Sequence, residues 1–455
     1  MKARIVNSEI EFKNSRIAID SLYDNAYYEI SNGEAPRYIN DTYGVNEVFN
    51  NLIQPYLAVK KWIDDNHPSR LDVRNAEIRC RFYAKDICNH GGCFVEGVSL
   101  IDKIIVWTTY QFSTLLETIY FMFLQCKIRK TDEIHVSEKF AVLRHKGAIK
   151  KFKRFGEISQ EIESLYDKGS IYRLFSLSRR LNWLIKAYFS SFKTMKEMRM
   201  FYLPLLGDNF KYPLMDFYRQ RIVYAEFYKL MLDDYFSHFA GKSFYTGNNL
   251  DRCSVIEDQI ARKYNIKTYN IPHGIEYGFR FPTGFSSDVF YTHSQYTADF
   301  LNKMYSTSKY VFKPDVIKRM FDYHYDKPHE KMIIFFTEPR EVNVNIEIVN
   351  GLLPKLEAKG KKLYLKLHPG DNRSNYEGMD VEYITDYELS LTGNICISRK
   401  STILLEAIYN QSLPIAIITN VKDQTMFDLF PSLNAKEIVK TYSVDELYGV
   451  IKDNI

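Results

Sequence analysis

The sequence predicts an α/β protein built from two Rossmann-like domains that face one another across a cleft. Three observations carry this expectation. At 455 residues the chain is long for one domain and comfortable for two. From residue 243 onwards strand and helix periods alternate, the order that builds doubly wound parallel sheets. Polar clusters stand where several of these strands end, and in such sheets ligands bind at the carboxyl ends of strands.

The elements follow in chain order. Arg16–Asp20 reads as a short strand, and residues 45–64 and 103–127 read as helices. The most apolar window, Ile104 to Cys126, contains Gln111 and Glu117. Its Leu115, Leu116, Ile119, Tyr120 and Phe123 share one helical face, so a helix buried in a domain is expected rather than a membrane span. From about 130 to 240 the pattern is a helical insertion with basic faces. Arg144, Lys146, Lys150, Lys151, Lys153 and Arg154 form one run. A second interleaves Arg173, Arg179, Arg180, Lys186, Lys193, Lys196 and Arg199 with Trp183, Phe189 and Phe192. Such a surface suits peripheral docking on an anionic membrane. The aromatics follow no nucleic-acid-binding pattern, and no nucleic-acid partner is expected.

Ser243–Thr246 reads as a strand and Gly247–Asn249 as a turn. Ser254 with Glu257 three residues on signals a helix start. Ile266–Ile271 and Asp288–His293 follow as strands. A polar stretch from Lys313-Pro314 to His329 reads as the linker, placing an N-terminal domain at 1–315 and a C-terminal domain at 316–455. There the strands are Met332–Phe336, Lys362–Leu367, Val381–Ile384, Asn394–Ile397 and a last one at Leu413–Ile418. Val349, Leu352, Leu353 and Leu356 mark one helix with Gly360 as its stop, and Leu404, Leu405 and Ile408 mark another.

Composition narrows the function classes. The hydrophobic fraction of 45% provides for real cores, and the net charge of +5 says little by itself. Met1–Ile10 alternates charged and apolar residues, unlike a secretory signal, so a cytoplasmic protein attached peripherally to the inner face of the membrane is expected. The six cysteines fit reduced thiols. Cys80, Cys88, His90 and Cys93 lack the paired Cys-x-x-Cys spacing of a zinc site. There is no Asp-x-Asp triad, Walker A loop or G-x-G-x-x-G fingerprint. No metal or other cofactor is therefore expected, and any phosphate must be met by protein donors.

Three clusters could carry chemistry. His368-Pro369-Gly370 follows a strand, where a histidine can donate to a phosphate, and alternation puts Lys366 on the same face. Ser398, Arg399, Lys400, Ser401 and Thr402 stand at an expected helix N-terminus, a ready anion site, with Glu406 one turn on as a ribose acceptor. His273-Gly274 ends a strand of the first domain. His273 is suited to take a proton from an acceptor hydroxyl, and Glu276 is the neighbouring carboxylate that could serve instead.

In this order the clusters resemble those of bacterial GT-B glycosyltransferases with an HP motif and a later SS/ST motif. That group includes sialyltransferases, Kdo transferases and, more distantly, teichoic-acid polyglycerolphosphate polymerases. The resemblance spans about residues 243 to 420. It implies that His368 and the hydroxyls of Ser401 and Thr402 contact the phosphate of a nucleotide donor. Pro272-His273-Gly274 departs from the acidic motif of the sialyltransferases and is similar to the His-Gly of the polymerases, which favours His273 as base. The implied activity is inverting, metal-independent transfer of a sugar to a hydroxyl of a surface glycan or glycolipid, in capsule or lipopolysaccharide synthesis. A CMP-linked acidic sugar such as sialic acid, another nonulosonic acid or Kdo is the first choice of donor. A UDP-sugar and a CDP-alcohol stay open, as do a UDP-sugar 2-epimerase and a non-catalytic, membrane-docked capsule assembly factor.

Overall fold

The computed structural model describes residues 1–7, 9–19, 54–130, 139–143, 154, 160–163, 170–206, 219–238, 243–246, 252–271, 287–323, 325, 327–339, 341–421, 423–424, 427 and 430–455. The turn at 247–249, the basic run from Arg144 to Lys153, and the segment holding His273 and Glu276 lie outside these residues. The chain divides into two compact units. Residues 1–149, 157–271 and 280–289 form the first, and 150–156, 272–279 and 290–455 the second.

The first unit opens with a five-stranded sheet in the order β3-β2-β1-β4-β5. Strands β1 (Lys2–Asn7), β2 (Glu9–Phe12) and β3 (Ser15–Ala18) form an antiparallel meander. Strands β4 (Arg70–Ala76) and β5 (Phe94–Glu96) join in parallel. Helix α1 (Gln54–Asn66) precedes β4 and α2 (Ile78–Gly91) follows it. Trp62 of α1 meets Phe12 edge-on at 5.4 Å, which seals the sheet's core.

Helix α3 (Leu100–Lys127) starts at a capping box: the Asp102 N–H donates to Ser99 Oγ at 3.1 Å and the Ser99 N–H to Asp102 at 2.7 Å. Its burial reverses the expectation. Leu116 is 62% exposed and Phe123 56%, while Thr114, Thr118 and Gln125 are buried. The inward face carries polar groups because backbone carbonyls and an arginine meet several of them there. Thr118 donates to the Thr114 carbonyl at 2.8 Å. The fully buried Arg180, from α4 (Leu177–Leu206), donates to the Gln125 carbonyl at 2.9 Å, to Gln125 Oε1 at 3.0 Å and to the Ile128 carbonyl at 2.8 Å. Phe121, on the same side, meets Tyr224 of α5 (Arg219–His238) at 5.9 Å.

The rest of the first unit is a parallel α/β layer. Strands β6 (Lys139–Leu143), β7 (Gln160–Glu163), β8 (Ser243–Thr246) and β9 (Lys267–Asn270) lie in the order β7-β6-β8-β9. Numbered along the chain this is 2-1-3-4, a doubly wound order. Helix α6 (Arg252–Lys263) joins β8 to β9, and its buried Glu257 accepts from Tyr228 at 2.7 Å and Thr246 at 2.6 Å.

In the next stretch β10 (Val289–Tyr291) pairs in parallel with β11 (Tyr310–Val311) across helix α7 (Gln295–Tyr305), which Ser294 caps. The stretch read as a linker holds helix α8 (Pro314–Phe321), which buries Val316, Ile317, Met320 and Phe321. Six parallel strands then form the sheet of the second unit. They are β12 (Ile333–Phe336), β13 (Leu363–Lys366), β14 (Glu382–Tyr383), β15 (Ile395–Ser398), β16 (Leu413–Ile417) and β17 (Val439–Thr441). Their spatial order β14-β13-β12-β15-β16-β17 is 3-2-1-4-5-6 along the chain, the Rossmann order. Helices α9 (Val342–Glu357), α10 (Tyr387–Leu391), α11 (Ile403–Tyr409) and α12 (Val444–Lys452) connect and flank the strands. Strand β17 and α12 extend the sheet beyond the strand read as its last. All four side chains of β12 and of β15 are buried, because both faces of a parallel sheet are covered. The chain is thus an α/β protein with Rossmann-like parallel layers, and its first unit adds a mixed sheet.

Candidate functional site

The Rossmann order defines where a ligand would sit in the second unit. From β12 the chain winds to β13 and β14 on one side, then crosses to β15 on the other. In sheets of this order ligands bind at the carboxyl ends of the strands beside such a switch point. Thr337 and Glu338 leave β12, His368 lies just beyond β13, and Arg399 and Lys400 follow β15.

His368 is exposed and held by its turn. Its N–H donates to Thr337 Oγ1 at 3.1 Å, and the Asp371 N–H closes on its carbonyl at 2.9 Å, with Pro369 in the second turn position. The Gly370 N–H donates to His368 Nδ1 at 3.0 Å. With Nδ1 accepting, a neutral ring carries its proton on Nε2. Burial pushes the pKa below the usual histidine value, against the attraction of Asp371. The side chain therefore offers one N–H donor at neutral pH. A Cβ on Gly370 would stand 3.2 Å from Pro339 Cβ and 3.4 Å from His368 Nδ1, so glycine keeps room for the ring. Asp371 itself accepts from Tyr376 and Asn375, each at 2.8 Å. Burial works to raise its pKa, but these bonds and one from Thr337 hold it below the ordinary value.

The second cluster is differently disposed from the expectation. Arg399 is fully buried and its guanidinium is enclosed. Nε and Nη2 donate to the Asp423 carboxylate at 2.8 and 2.9 Å, and Nη2 to Glu341 at 2.7 Å. Burial works against its charge, yet the two carboxylates raise its pKa above the ordinary value. Lys400 adds contacts at 3.1 Å to Asp423 and 3.7 Å to Glu341. These two cations and two carboxylates balance, so the cluster braces the loop and presents no spare charge. Ser398 is buried and donates to the Phe336 carbonyl at 3.4 Å. Ser401 Oγ accepts the Ile403 N–H at 3.3 Å. Thr402 occupies the cap position of α11 without a side-chain cap bond. Helix α11 has seven residues, so an anion here would rely on individual hydroxyl and N–H donors.

Lys366 turns toward β14, where its ammonium donates to the Thr385 carbonyl beside the Tyr387 ring. Glu406 is buried and accepts from Tyr323 at 2.5 Å and Tyr387 at 2.8 Å. These bonds tie its Oε2 into an internal network. Arg154 supports the same network, 4.1 Å over the Tyr323 ring and 2.6 Å from Glu388.

Glu338 was not singled out by the sequence reading. Its Oε1 is buried and has no hydrogen-bond partner among the described residues. Burial pushes its pKa up to about 7, against the attraction of Lys400 and Arg399. The signal available was positional: Thr337-Glu338 directly follows the apolar run of the first strand of the sheet, where the switch point lies. Among the described residues, no group of three or more His, Cys, Asp or Glu side chains is arranged to hold a metal ion.

The sequence matches no protein family profile and no curated protein. Among solved structures the chain is similar to UDP-N-acetylglucosamine 2-epimerase from Rickettsia bellii. That likeness is 13% identical, covers 70% of this chain and 88% of the other, and has a TM-score of 0.39.

Proposed function

We propose that the protein is a glycosyltransferase of the GT-B type, whose second unit holds the phosphate of a nucleotide-activated sugar. The observation that carries this reading is His368. Its Nδ1 is occupied by the Gly370 N–H, which leaves a neutral Nε2–H donor exposed at the carboxyl edge of a Rossmann sheet. Ser401 and Thr402 supply further donors on the loop after β15. In the proposed reaction His273, or Glu276 in its place, takes the proton of an acceptor hydroxyl. The hydroxyl oxygen attacks the anomeric carbon as that carbon's bond to the donor phosphate breaks. The charge that develops on the departing phosphate is met by the His368 donor and the two hydroxyls. The donor we favour is a CMP-linked acidic sugar, and the acceptor a hydroxyl of a bacterial surface glycan or glycolipid.

One observation favours a second reading. Glu338, just after β12, is a carboxyl that burial pushes up to about 7, as proton transfer on a bound sugar nucleotide near neutral pH would need. That would suit a sugar-nucleotide epimerase. The two readings differ in products. Purified protein incubated with CMP- and UDP-activated sugars plus a glycan acceptor should release free nucleotide, and His273→Ala should lose this release while retaining donor binding. Isomerised donor without nucleotide release would overturn the transferase in favour of the epimerase.

A further inference from the structure

The outward face of α3 departs from ordinary surface chemistry. Ile104, Phe112, Leu116, Ile119, Tyr120 and Phe123 are all exposed. On a helix of 3.6 residues per turn they fall within an arc of about 160° and extend over about 30 Å. Scattered apolar residues on a surface are ordinary; a continuous stripe of this size marks an interaction site. The helix is not loosely placed, because its other face is tied down by Arg180 and packs on α4 and α5.

Charge identifies the occupant. Lys127 lies on the same stripe, 4.2 Å over the Phe123 ring, and Arg129 and Lys130 follow it, exposed. The neighbouring α4 exposes Ile185, Phe189 and Phe192. Lys186, Lys193 and Lys196 are exposed among them, within the same arc of about 120°. Glu197, 3.8 Å from Lys193, offsets that charge only in part. Aromatics interleaved with lysines match an acyl–headgroup boundary, where rings enter the apolar layer and ammonium groups reach lipid phosphates. A second copy docked face to face would set these lysines against their own kind. Among the described residues no helix is long and apolar enough to cross a membrane.

We propose that α3 and the exposed face of α4 bind the surface of an anionic lipid bilayer, with α3 lying in the interfacial plane. The test is co-sedimentation of the full chain with vesicles of phosphatidylcholine, alone or mixed with phosphatidylglycerol. Binding should be stronger by an order of magnitude on the mixed vesicles. The triple variant Phe112→Ser, Leu116→Ser, Phe123→Ser should lower that binding on the order of tenfold or more. Its melting temperature should be unchanged, since all three positions are exposed. The pair Lys186→Glu and Lys193→Glu should abolish the preference for phosphatidylglycerol. Wild-type protein left in the supernatant with mixed vesicles, or unaltered binding by the serine variant, would overturn the proposal. So would a wild-type dimer, seen by light scattering, that the serine variant splits while neither form binds vesicles; the face would then belong to a second copy.

Discussion

Replacing Glu338 by Gln should stabilise the protein, and only above acid pH. Burial raises this carboxyl from the ordinary 4.5 to about 7 in the folded chain. A carboxyl raised on folding keeps its proton in the native state while the unfolded chain has lost it. Its favourable share of stability is therefore complete below pH 4.5 and is lost as pH rises to about 7. Above that, the folded chain carries a buried charge. Across this interval, at about 1.4 kcal/mol per pH unit, the cost reaches about 3 kcal/mol. Glutamine keeps the shape and never ionises. Glu338→Gln and wild type should unfold together at pH 4, and the variant should gain progressively up to about 3 kcal/mol at pH 8. For a unit of this size that is roughly 6–12 °C in melting temperature. The assay is thermal unfolding of both proteins from pH 4 to 8. Parallel curves would refute the burial of this side chain and its partnerless Oε1.

Other outcomes follow from the same geometry. Asp423→Ala strips the Arg399 guanidinium of its bidentate partner in a site with no solvent, and should cost about 3–5 kcal/mol in chemical unfolding. The pair Arg399→Met with Asp423→Leu should cost much less, because no buried charge is left alone. Tyr387→Phe removes one bond to Glu406 and should cost about 2 kcal/mol, with nucleotide affinity unchanged in calorimetry if Glu406 serves only the internal network. Gly370→Ala brings a Cβ against Pro339 and the His368 ring. It should cost about 1 kcal/mol and weaken nucleotide binding in the same titration.

Much of the second unit was legible because parallel strands buried on both faces read as unbroken apolar runs, as in Ile333–Phe336 and Ile395–Ser398. Val439–Thr441 escaped because it is short and carries a lysine at its centre. Helix α8 escaped because Lys313-Pro314 resembles a break, although Pro is favoured in the first turn and the apolar stripe follows it. In α3 the periodicity revealed which face is apolar but not which face meets the protein. Arg180 decides that by donating to the carbonyls of Gln125 and Ile128 and to Gln125 Oε1, a pairing about 55 residues apart. At the site, the place of His368 after a strand was readable, whereas the fate of each charge was not. Arg399 looks free in sequence and is enclosed because Asp423, 24 residues later, returns to it. Glu406 and Lys366 are likewise engaged by residues on other elements. Local pattern shows where side chains emerge; long-range pairing determines which stay available.

The most direct test of the central claim is a thermal-shift series with CMP, CDP, UDP and GDP on wild type and His368→Ala. A ligand bound only by the folded state raises the melting temperature. A selective rise is expected, greatest with CMP, that disappears in His368→Ala although the unliganded variant melts as wild type does. No rise with any nucleotide at millimolar concentration, or an equal rise in the variant, would contradict a nucleotide site built on the His368 donor.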